Sequence, residues 1–341
     1  MKRNKAKYYL IPAIICMAGI VAIGYFYFFT TFSTLVEKQY VYIDDDDTAD
    51  SVYTKLKPLS SHHALAGFCT LARHFNYDEK IHTGRFAIVP GMNTVNTFRM
   101  IRNGQQEPIM LTIPECRTME QMSERLSKKL MIDSITIVQM LKNEAFCQQL
   151  GYDTCTIACV FVPNTYEVYW NTSIEKLMSR MVKEHDKFWT SERKQKASEL
   201  GLSANEVCIL ASIIDEETAN NAEKPMIAGM YLNRLKINMP LQADPTIKYA
   251  LKDFALKRIY NTHLEVSSPY NTYKNTGLPP GPIKVASIQG IDAVLNRVAH
   301  NYIYMCAKED FSGTHNFAAS YKEHLKNAAR YSKALNERGI K

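Results

Sequence analysis

An uncharged segment near the start of the chain limits the possible fold more than any other feature of the sequence. Residues 8–36 carry no charged side chain, and residues 8–29 within them are largely apolar or aromatic. A helix needs about 20 such residues to cross the hydrocarbon core of a bilayer. Basic residues stay on the cytoplasmic side of a membrane, and four of them precede the segment: Lys2, Arg3, Lys5 and Lys7. We therefore expect a cytoplasmic N-terminus at residues 1–7, a transmembrane helix at residues 8–33, and a body outside the cytoplasmic (inner) membrane.

The alternative interpretation of this segment is a cleaved secretory signal. We favour an anchor because the apolar run is longer than the usual ~7–15 residue core of a signal, and no small-x-small cleavage site follows it. The chain of 341 residues carries a formal net charge of +7 without a long tract of Lys and Arg. Nucleic-acid-binding proteins concentrate positive charge on one surface, so we expect no nucleic-acid partner.

The cysteines and acidic runs of the sequence do not indicate a metal or redox site. Of the eight cysteines, Cys16 lies in the anchor and the other seven would face an oxidising compartment, so at least one stays unpaired. The spacing allows one local bridge, from Cys147 to Cys155 or Cys159. No C-x-x-C pair is present, and the four aspartates at residues 44–47 are better explained as a solvated turn than as a cation site. We expect neither a metal nor a cofactor.

Short strand and helix segments alternate along the rest of the chain. A strand, a turn and a helix that begins near Thr or Asn occur three times between residues 40 and 130. The segment Ser203-Ala-Asn-Glu206 has the S-x-x-E form of a capping box, so a further helix begins there. The pattern predicts an α+β fold, with a first α+β region at residues 37–150 and a mixed α+β region at residues 155–341.

The helix that begins at Ser203 carries the most informative residue of the chain. At about 100° per residue, four apolar side chains share one face of this helix: Val207, Leu210, Ile213 and Ile214. Glu217 falls on the same face one turn later, where a carboxylate resists ionisation, as a general acid must near neutral pH. We predict that Glu217 is the catalytic acid, and that Asp215 and Glu216 point toward solvent. The alternative is that Glu217 lies at the edge of the core and bends out to water.

Four loop motifs after Glu217 combine hydrogen-bonding side chains with aromatic rings. Sugars need both, because their hydroxyl and N-acetyl groups form hydrogen bonds and the C–H faces of their rings lie on aromatic side chains. The predicted substrate-binding residues in these loops are Gln242, Tyr270, Asn271, Thr272, Tyr273 and His315. The alternative role of His315 is a structural hydrogen bond. Asp244 or Glu265 would be the second carboxylate if the chain were an ordinary glycosidase.

The order and combination of these motifs resemble a known family. Six segments are similar to successive motifs of the endolytic murein transglycosylases (the MltG, or YceG-like, family): Ala211-Ser-Ile-Ile-Asp-Glu-Glu-Thr-Ala219, Leu232-Asn-Arg-Leu235, Leu241-Gln-Ala-Asp-Pro-Thr246, Tyr270-Asn-Thr-Tyr273, Gly277-Leu-Pro-Pro-Gly-Pro-Ile283 and Gly313-Thr-His-Asn-Phe317. The resemblance covers most of the chain from residue 40 onward. It implies a LysM-like α+β module at residues 37–150 and a catalytic transglycosylase domain at residues 155–341. It also places the family's essential glutamate at Glu217.

Three short segments depart from the pattern of that family. Asp215 stands where the family often has Glu, and Val285-Ala-Ser287 stands where it tends to have Asn-Pro-Gly. The second change affects one wall of the expected cleft. Pro114-Glu-Cys116 replaces the usual Pro-Glu-Gly, which changes the expected geometry of a local turn. None of the three changes removes Glu217.

The resemblance implies an activity and a setting for it. The activity is cleavage of the β-1,4 bond between N-acetylmuramic acid and N-acetylglucosamine inside peptidoglycan strands, which leaves 1,6-anhydro ends and ends the growth of new strands. Two alternatives stay open: a muramidase that hydrolyses the same bond, and a membrane-tethered protein that binds peptidoglycan without chemistry. The implied partners are glycan strands, a lipid bilayer crossed by one helix, and nearby peptidoglycan synthases.

Overall fold

Helices and short strands are mixed throughout the structure, a computed structural model that describes residues 5–256 and 258–338. This mixture confirms the α+β prediction. The chain divides into two compact units. The first unit contains the residues up to Leu111 together with residues 129–131 and 167–172, and the second contains residues 112–128, 132–166 and those from Ser173 onward. The domain limits expected from the sequence stay a prediction.

The first unit contains four helices, strands β1 and β2, and the first three residues of strand β3. The helices are α1 (Lys5–Phe28), α2 (Ala49–Leu56), α3 (His62–His74) and α4 (Thr94–Arg102), with short 3-10 turns at Lys57–Leu59 and Tyr77–Glu79. The strands of the whole chain are β1 (Gln39–Ile43), β2 (Gly84–Ile88), β3 (Ile109–Thr112), β4 (Thr165–Val168), β5 (Tyr304–Ala307) and β6 (His315–Ala318). They form three two-stranded sheets, β1 with β2, β3 with β4, and β5 with β6.

Helix α1 is long and apolar enough to cross a membrane between Tyr8 and Phe28. Its large apolar side chains, such as Leu10 and Ile20, point away from the protein, as the side chains of a lipid-facing helix do. The helix ends before residue 33, the limit expected from the sequence. The reason is tertiary packing, because Phe32 is fully buried in the core of the first unit and its backbone N–H donates to the carbonyl of Met92.

The core of the first unit is built around aromatic rings. Strands β1 and β2 pair antiparallel, with Gln39 opposite Ile88, and helices α2, α3 and α4 begin at the side-chain caps Thr48, Ser61 and Asn93. Phe68 of α3 lies at the centre, where its ring contacts those of Phe32, Tyr53, Tyr77 and Phe98. The aspartates of residues 44–47 lie beside this core, where Asp44 and Asp47 both pair with Lys55, as in a turn held by its own ion pairs.

The second unit is mainly helical. Its helices are α5 (Met119–Ser127), α6 (Ser134–Leu141), α7 (Glu144–Gln149), α8 (Ile174–Phe188), α9 (Ser191–Glu199), α10 (Ala204–Glu217), α11 (Lys224–Lys236), α12 (Asp244–Leu251), α13 (Asn261–Leu264), α14 (Ile288–Leu295) and α15 (Tyr321–Glu337), with a 3-10 turn at Ile157–Val160. Helix α10 is central, because α11, α12 and α14 all pack against it. Strands β5 and β6 pair antiparallel, with Ala307 opposite His315.

The cysteines form no disulfide among the described residues, where all eight are free thiols. The local bridge from Cys147 to Cys155 or Cys159 is therefore absent from the structure. Cys147 is buried and its thiol donates to the carbonyl of Leu141, Cys155 is exposed, and Cys159 lies in the core beside Cys208. The same described residues contain no cluster of three or more His, Cys, Asp or Glu side chains that could hold a metal ion.

Candidate active site

Helix α10 forms as the sequence predicts. Ser203 and Glu206 make the reciprocal hydrogen bonds of a capping box, which satisfy free backbone N–H groups at the start of the helix. The predicted apolar face at Val207, Leu210, Ile213 and Ile214 is completely buried. The helix ends at Glu217, so the core of the second unit fixes the position of this carboxylate.

The side chain of Glu217 lines a cavity of about 210 Å³. Four of the residues predicted to form the site line this cavity: Glu217, Gln242, Tyr273 and His315. The other lining residues come from α11, the start of α12 and strand β5: Met230, Tyr231, Arg234, Asp244, Met305, Cys306 and Ala307. The structure therefore brings together residues that are separated by almost 100 positions in the sequence.

The environment of Glu217 favours its protonated form. Burial raises the pKa of this carboxyl to about 7, and the charge of Asp244 acts in the same direction. The hydroxyl of Tyr231 donates a hydrogen bond of 2.5 Å to Oε1 of Glu217 and opposes this rise, because it stabilises the ionised carboxylate. A carboxyl with a pKa near neutrality can give up a proton and take it back at the same pH.

Two residues of α11 hold this arrangement. The sequence pointed to Arg234 only through the motif Leu232-Asn-Arg-Leu235, and it did not point to Tyr231. Tyr231 is almost fully buried, and Arg234 lies one turn later on the same helix. The guanidinium of Arg234 donates to the carbonyls of Ile303 at 2.6 Å and Leu241 at 2.5 Å, which ties α11 to the segments on both sides of the cavity. The sequence feature that could have identified both residues is their spacing, because two polar side chains three positions apart lie on the same side of a largely apolar helix.

A second group of hydrogen bonds shapes the wall formed by residues 241–244 and 273. The hydroxyl of Tyr273 donates to Oδ1 of Asp244 at 2.6 Å. Gln242 has a left-handed backbone, with φ of 49°, and its N–H donates to the carbonyl of Thr272 at 3.0 Å. A non-glycine residue adopts this conformation only where its surroundings enforce it, and such residues cluster at functional sites.

His315 begins strand β6 and is oriented by a buried carboxylate. Glu223 accepts the backbone N–H of His315 at 2.6 Å and also contacts ring atom Nδ1 at 3.0 Å. Both side chains are largely shielded from solvent. His315 therefore makes the structural hydrogen bonds that were its alternative role in the sequence analysis. The same residue also lines the cavity.

The family of the chain follows from a comparison with known proteins. The model of the YceG-like family matches residues 41–330, a range that includes every residue lining the cavity. The chain belongs to the YceG-like family. It is 32% identical to a protein named endolytic murein transglycosylase from Bacillus subtilis (strain 168), over 67% of this chain and 66% of the relative. A protein of the same name from Streptococcus pneumoniae (strain ATCC BAA-255 / R6) is 26% identical, over 96% of this chain and 66% of the relative.

A solved structure shows the same fold. The crystal structure of a putative YceG-like protein from Listeria monocytogenes matches 85% of this chain and 98% of its own, with a TM-score of 0.56 and 27% identity. The architecture is therefore YceG-like. The alignment with each of these two curated relatives spans 66% of the relative's own length, so this chain matches slightly less than two thirds of each of them.

Three of the predicted substrate-binding residues of this YceG-like chain lie outside the cavity lining. Asn271 and Thr272 are almost completely buried, so a direct contact with a substrate does not fit their positions. The side-chain amide of Asn271 donates to the carbonyls of Leu264 and Val266, while the hydroxyl of Thr272 accepts the N–H of Ala243. They hold the loop that carries Tyr273. Tyr270 packs its ring on that of Tyr249, with 4.7 Å between the ring centroids.

The prediction that Asp215 points to solvent is wrong. Its side chain is 1% exposed, because α14 packs against the face of α10 that the helical period had assigned to solvent. Its carboxylate accepts hydrogen bonds from Nζ of Lys224 at 2.7 Å, and from the N–H and hydroxyl of Ser287 at 2.7 and 2.8 Å. Ser287 lies in the segment expected to alter the cleft wall, and the structure instead places it against Asp215.

The neighbouring carboxylates have different settings. Glu216 is bound by the guanidinium of Arg117, whose Nη2 lies 2.8 Å from Oε2. Glu265, one of the two alternatives for a second catalytic carboxylate, is exposed, pairs with Lys274 and does not line the cavity. Asp244, the other alternative, does line it.

Proposed function

We propose that this chain is a membrane-anchored endolytic lytic transglycosylase that cleaves the β-1,4 bond between N-acetylmuramic acid and N-acetylglucosamine within peptidoglycan strands. The observation that carries the proposal is the position of Glu217, which lines a cavity and has a pKa of about 7. The names of the relatives from Bacillus subtilis and Streptococcus pneumoniae support the same activity.

The first step is the departure of the leaving sugar. Protonated Glu217 gives its proton to the bridging oxygen, the bond from that oxygen to C1 of the muramyl sugar breaks, and an oxocarbenium-like transition state forms. Glu217 becomes a carboxylate, and the hydroxyl of Tyr231 is already placed to stabilise it at Oε1. The product of this half of the reaction is a strand that ends in a 4-hydroxyl group on N-acetylglucosamine.

The second step closes a ring within the substrate. The ionised Glu217 removes the proton from the C6 hydroxyl of the muramyl sugar, and this oxygen bonds to C1. The product is a 1,6-anhydro end, and Glu217 regains its proton without the addition of water. Gln242, Tyr273 and His315 are the side chains that we assign to contacts with the sugars, because they line the same cavity as Glu217.

One observation favours hydrolysis as a second candidate. Asp244 lines the cavity with Glu217, and a second carboxylate is what an enzyme needs to activate a water molecule. Its Oδ1 is already bound by the hydroxyl of Tyr273. A muramidase would therefore use the same residues with water in place of the C6 hydroxyl.

The products of strand cleavage distinguish the two candidates. We expect the full-length protein, in detergent, to convert uncrosslinked glycan strands into internal fragments whose new ends are 1,6-anhydromuramyl sugars. Mass spectrometry of these fragments decides the point, because an anhydro end is lighter than a reducing end by one water. Reducing ends would assign the chain to the muramidases, and intact strands would leave only the binding role.

The pH dependence of cleavage reports the state of Glu217. We expect kcat/KM to fall as the pH rises above about 7, because Glu217 then loses the proton it must donate. The substitution Tyr231→Phe removes the hydrogen bond to the ionised carboxylate, so the pKa of Glu217 rises and the fall in kcat/KM moves to higher pH. The measurement is kcat/KM for wild type and variant between about pH 5 and pH 9.

A matched control for Tyr231→Phe is Tyr152→Phe. Tyr152 is also a tyrosine of the second unit, but its hydroxyl lies 3.4 Å from Nε2 of His185 rather than on Glu217. Its profile should coincide with that of the wild type. A Tyr231→Phe profile displaced to lower pH would contradict the role of this hydrogen bond.

The setting of the enzyme is part of the proposal. Helix α1 fits a single-pass anchor, with the basic N-terminus in the cytoplasm and the cavity outside the cytoplasmic membrane. We assign residues 37–150 to a LysM-like α+β module, as the family resemblance implies. Cleavage close to the membrane would end the growth of new strands, near the peptidoglycan synthases that make them.

A further inference from the structure

A charged groove of about 600 Å³ lies on the second unit beside the end of α10. Four basic and three acidic side chains line it, among them Arg117, Arg125, Lys284 and Glu216. Within the described part of the chain, none of the residues lining this groove is aromatic. The groove therefore offers charges rather than the flat apolar faces on which sugar rings lie.

Adjacent residues at the end of α10 line the groove and the catalytic cavity. Glu216 lines the groove and Glu217 lines the cavity. Consecutive Cα atoms are about 3.8 Å apart, and consecutive side chains of a helix diverge by about 100°. The groove therefore begins at the residue next to the proposed acid, within the length of a short peptide attached to a sugar held at Glu217.

The walls of the groove are fixed by ion pairs and by the backbone. Arg117 donates from Nε and Nη2 to Glu216 at 2.8–3.1 Å, and Lys284 contacts Glu115 at 3.0 Å and Glu216 at 3.7 Å. The N–H of Val285 donates to the carbonyl of Cys116 at 2.8 Å, which joins the two segments that carry these charges. Lys284 and Glu216 are largely buried, so the ammonium group of Lys284 is held in place before any ligand arrives.

The groove has positive charge that the protein does not neutralise. Its four basic side chains exceed its three acidic ones by one. Among the described residues, Arg125 forms neither an ion pair nor a side-chain hydrogen bond, although it lines the groove. An arginine with free donors binds carboxylates well, because its planar group can donate two parallel hydrogen bonds.

We propose that this groove binds the peptide stem of the glycan strand through the carboxylates of the stem. This inference rests on the proposed function, because the stem is attached to the same muramyl sugar that the cavity would hold at Glu217. A stem carries free carboxylates along its length and an amino group on its third residue. Arg125, the lining cation without an ion pair among the described residues, matches these carboxylates.

The test compares strands with and without stems. The substrates are glycan strands bearing tetrapeptides and the same strands stripped of peptide by an amidase, each incubated with the full-length protein in detergent. We expect the wild type to show a lower KM for stem-bearing strands. The substitution Arg125→Glu reverses one exposed charge, and should raise that KM about three- to fivefold while leaving the KM for stripped strands unchanged.

A control variant and a direct binding measurement complete the experiment. Arg297→Glu makes the same charge change at an exposed position outside the groove, and should leave both KM values as in the wild type. A free tetrapeptide, titrated into the full-length protein, should perturb the NMR signals of labelled arginines in the wild type and fail to do so in Arg125→Glu.

The outcomes separate this inference from the function on which it rests. Equal KM values for the two wild-type substrates, or an equal effect of Arg125→Glu on both, would overturn the stem-binding groove while the transglycosylase activity stands. Failure to cleave either substrate would instead count against the activity itself. A selective loss on stem-bearing strands, together with loss of tetrapeptide binding, would establish the groove.

Discussion

The substitution Glu217→Gln should reduce strand cleavage by at least ~10²–10⁴-fold, the usual contribution of a general acid and base. Glutamine keeps the shape of the side chain, but it can neither donate the proton in the first step nor remove one in the second. The measurement is the initial rate of anhydro-end formation by the full-length protein. Near-normal cleavage by this variant would exclude Glu217 as the acid.

The stability of the same variant provides its control. The pKa of Glu217 is raised from 4.5 to about 7 in the folded protein, so the unfolded chain releases this proton first as the pH rises. The free energy of unfolding therefore falls through this pH window and has lost the contribution of Glu217 above it. Glutamine cannot ionise, so above pH 7 the Gln variant should unfold at a temperature no lower than the wild type. A Gln variant that is inactive but unfolds at such a temperature would therefore have lost the catalytic step and kept the fold.

The substitution Asp215→Ala should destabilise the second unit by about 3–5 kcal/mol, because it leaves the buried ammonium of Lys224 without its partner. It also removes the acceptor for the N–H and hydroxyl of Ser287. Urea-induced unfolding, followed by the fluorescence of Trp189 in the same core, measures the change. A loss below 1 kcal/mol would show that this contact contributes little.

Two further variants identify the source of this loss. The double substitution Asp215→Ala with Lys224→Met removes both charges, so it should recover a large part of the lost stability. Lys333→Ala breaks an exposed pair with Glu337 and should cost no more than about 1 kcal/mol. A double variant as unstable as Asp215→Ala alone would point to the hydrogen bonds of Ser287 as the main contribution.

The parts of the site that depend on local sequence were predictable. The capping box, the apolar period and the end of α10 all depend on residues within one helix, and they placed Glu217 one turn beyond the buried face of that helix. The error at Asp215 has a simple cause. The helical period assumes one buried face, but every residue from Val207 to Ile214 is buried because α10 is surrounded by other helices.

Contacts between distant residues could not be predicted in the same way. The hydrogen bond from Tyr231 to Glu217 depends on the packing of α11 against α10, and the pairing of Asp215 with Ser287 joins residues 72 positions apart. Two of the three departures from the family pattern, at Asp215 and at Val285-Ala-Ser287, meet in that second contact. Gly290 completes it, because a Cβ atom there would lie 2.6 Å from Oδ1 of Asp215.

The end of helix α10 has an electrostatic consequence for the acid that it carries. Aligned peptide groups give the last turn of a helix a partial negative charge of about half an electron, and this charge repels a carboxylate placed there. Glu217 is the final residue of α10, so the peptide groups behind it act in the same direction as the dry surroundings of its side chain. The direction of the chain through this helix thus helps to keep the proton on the enzyme until a sugar arrives to accept it.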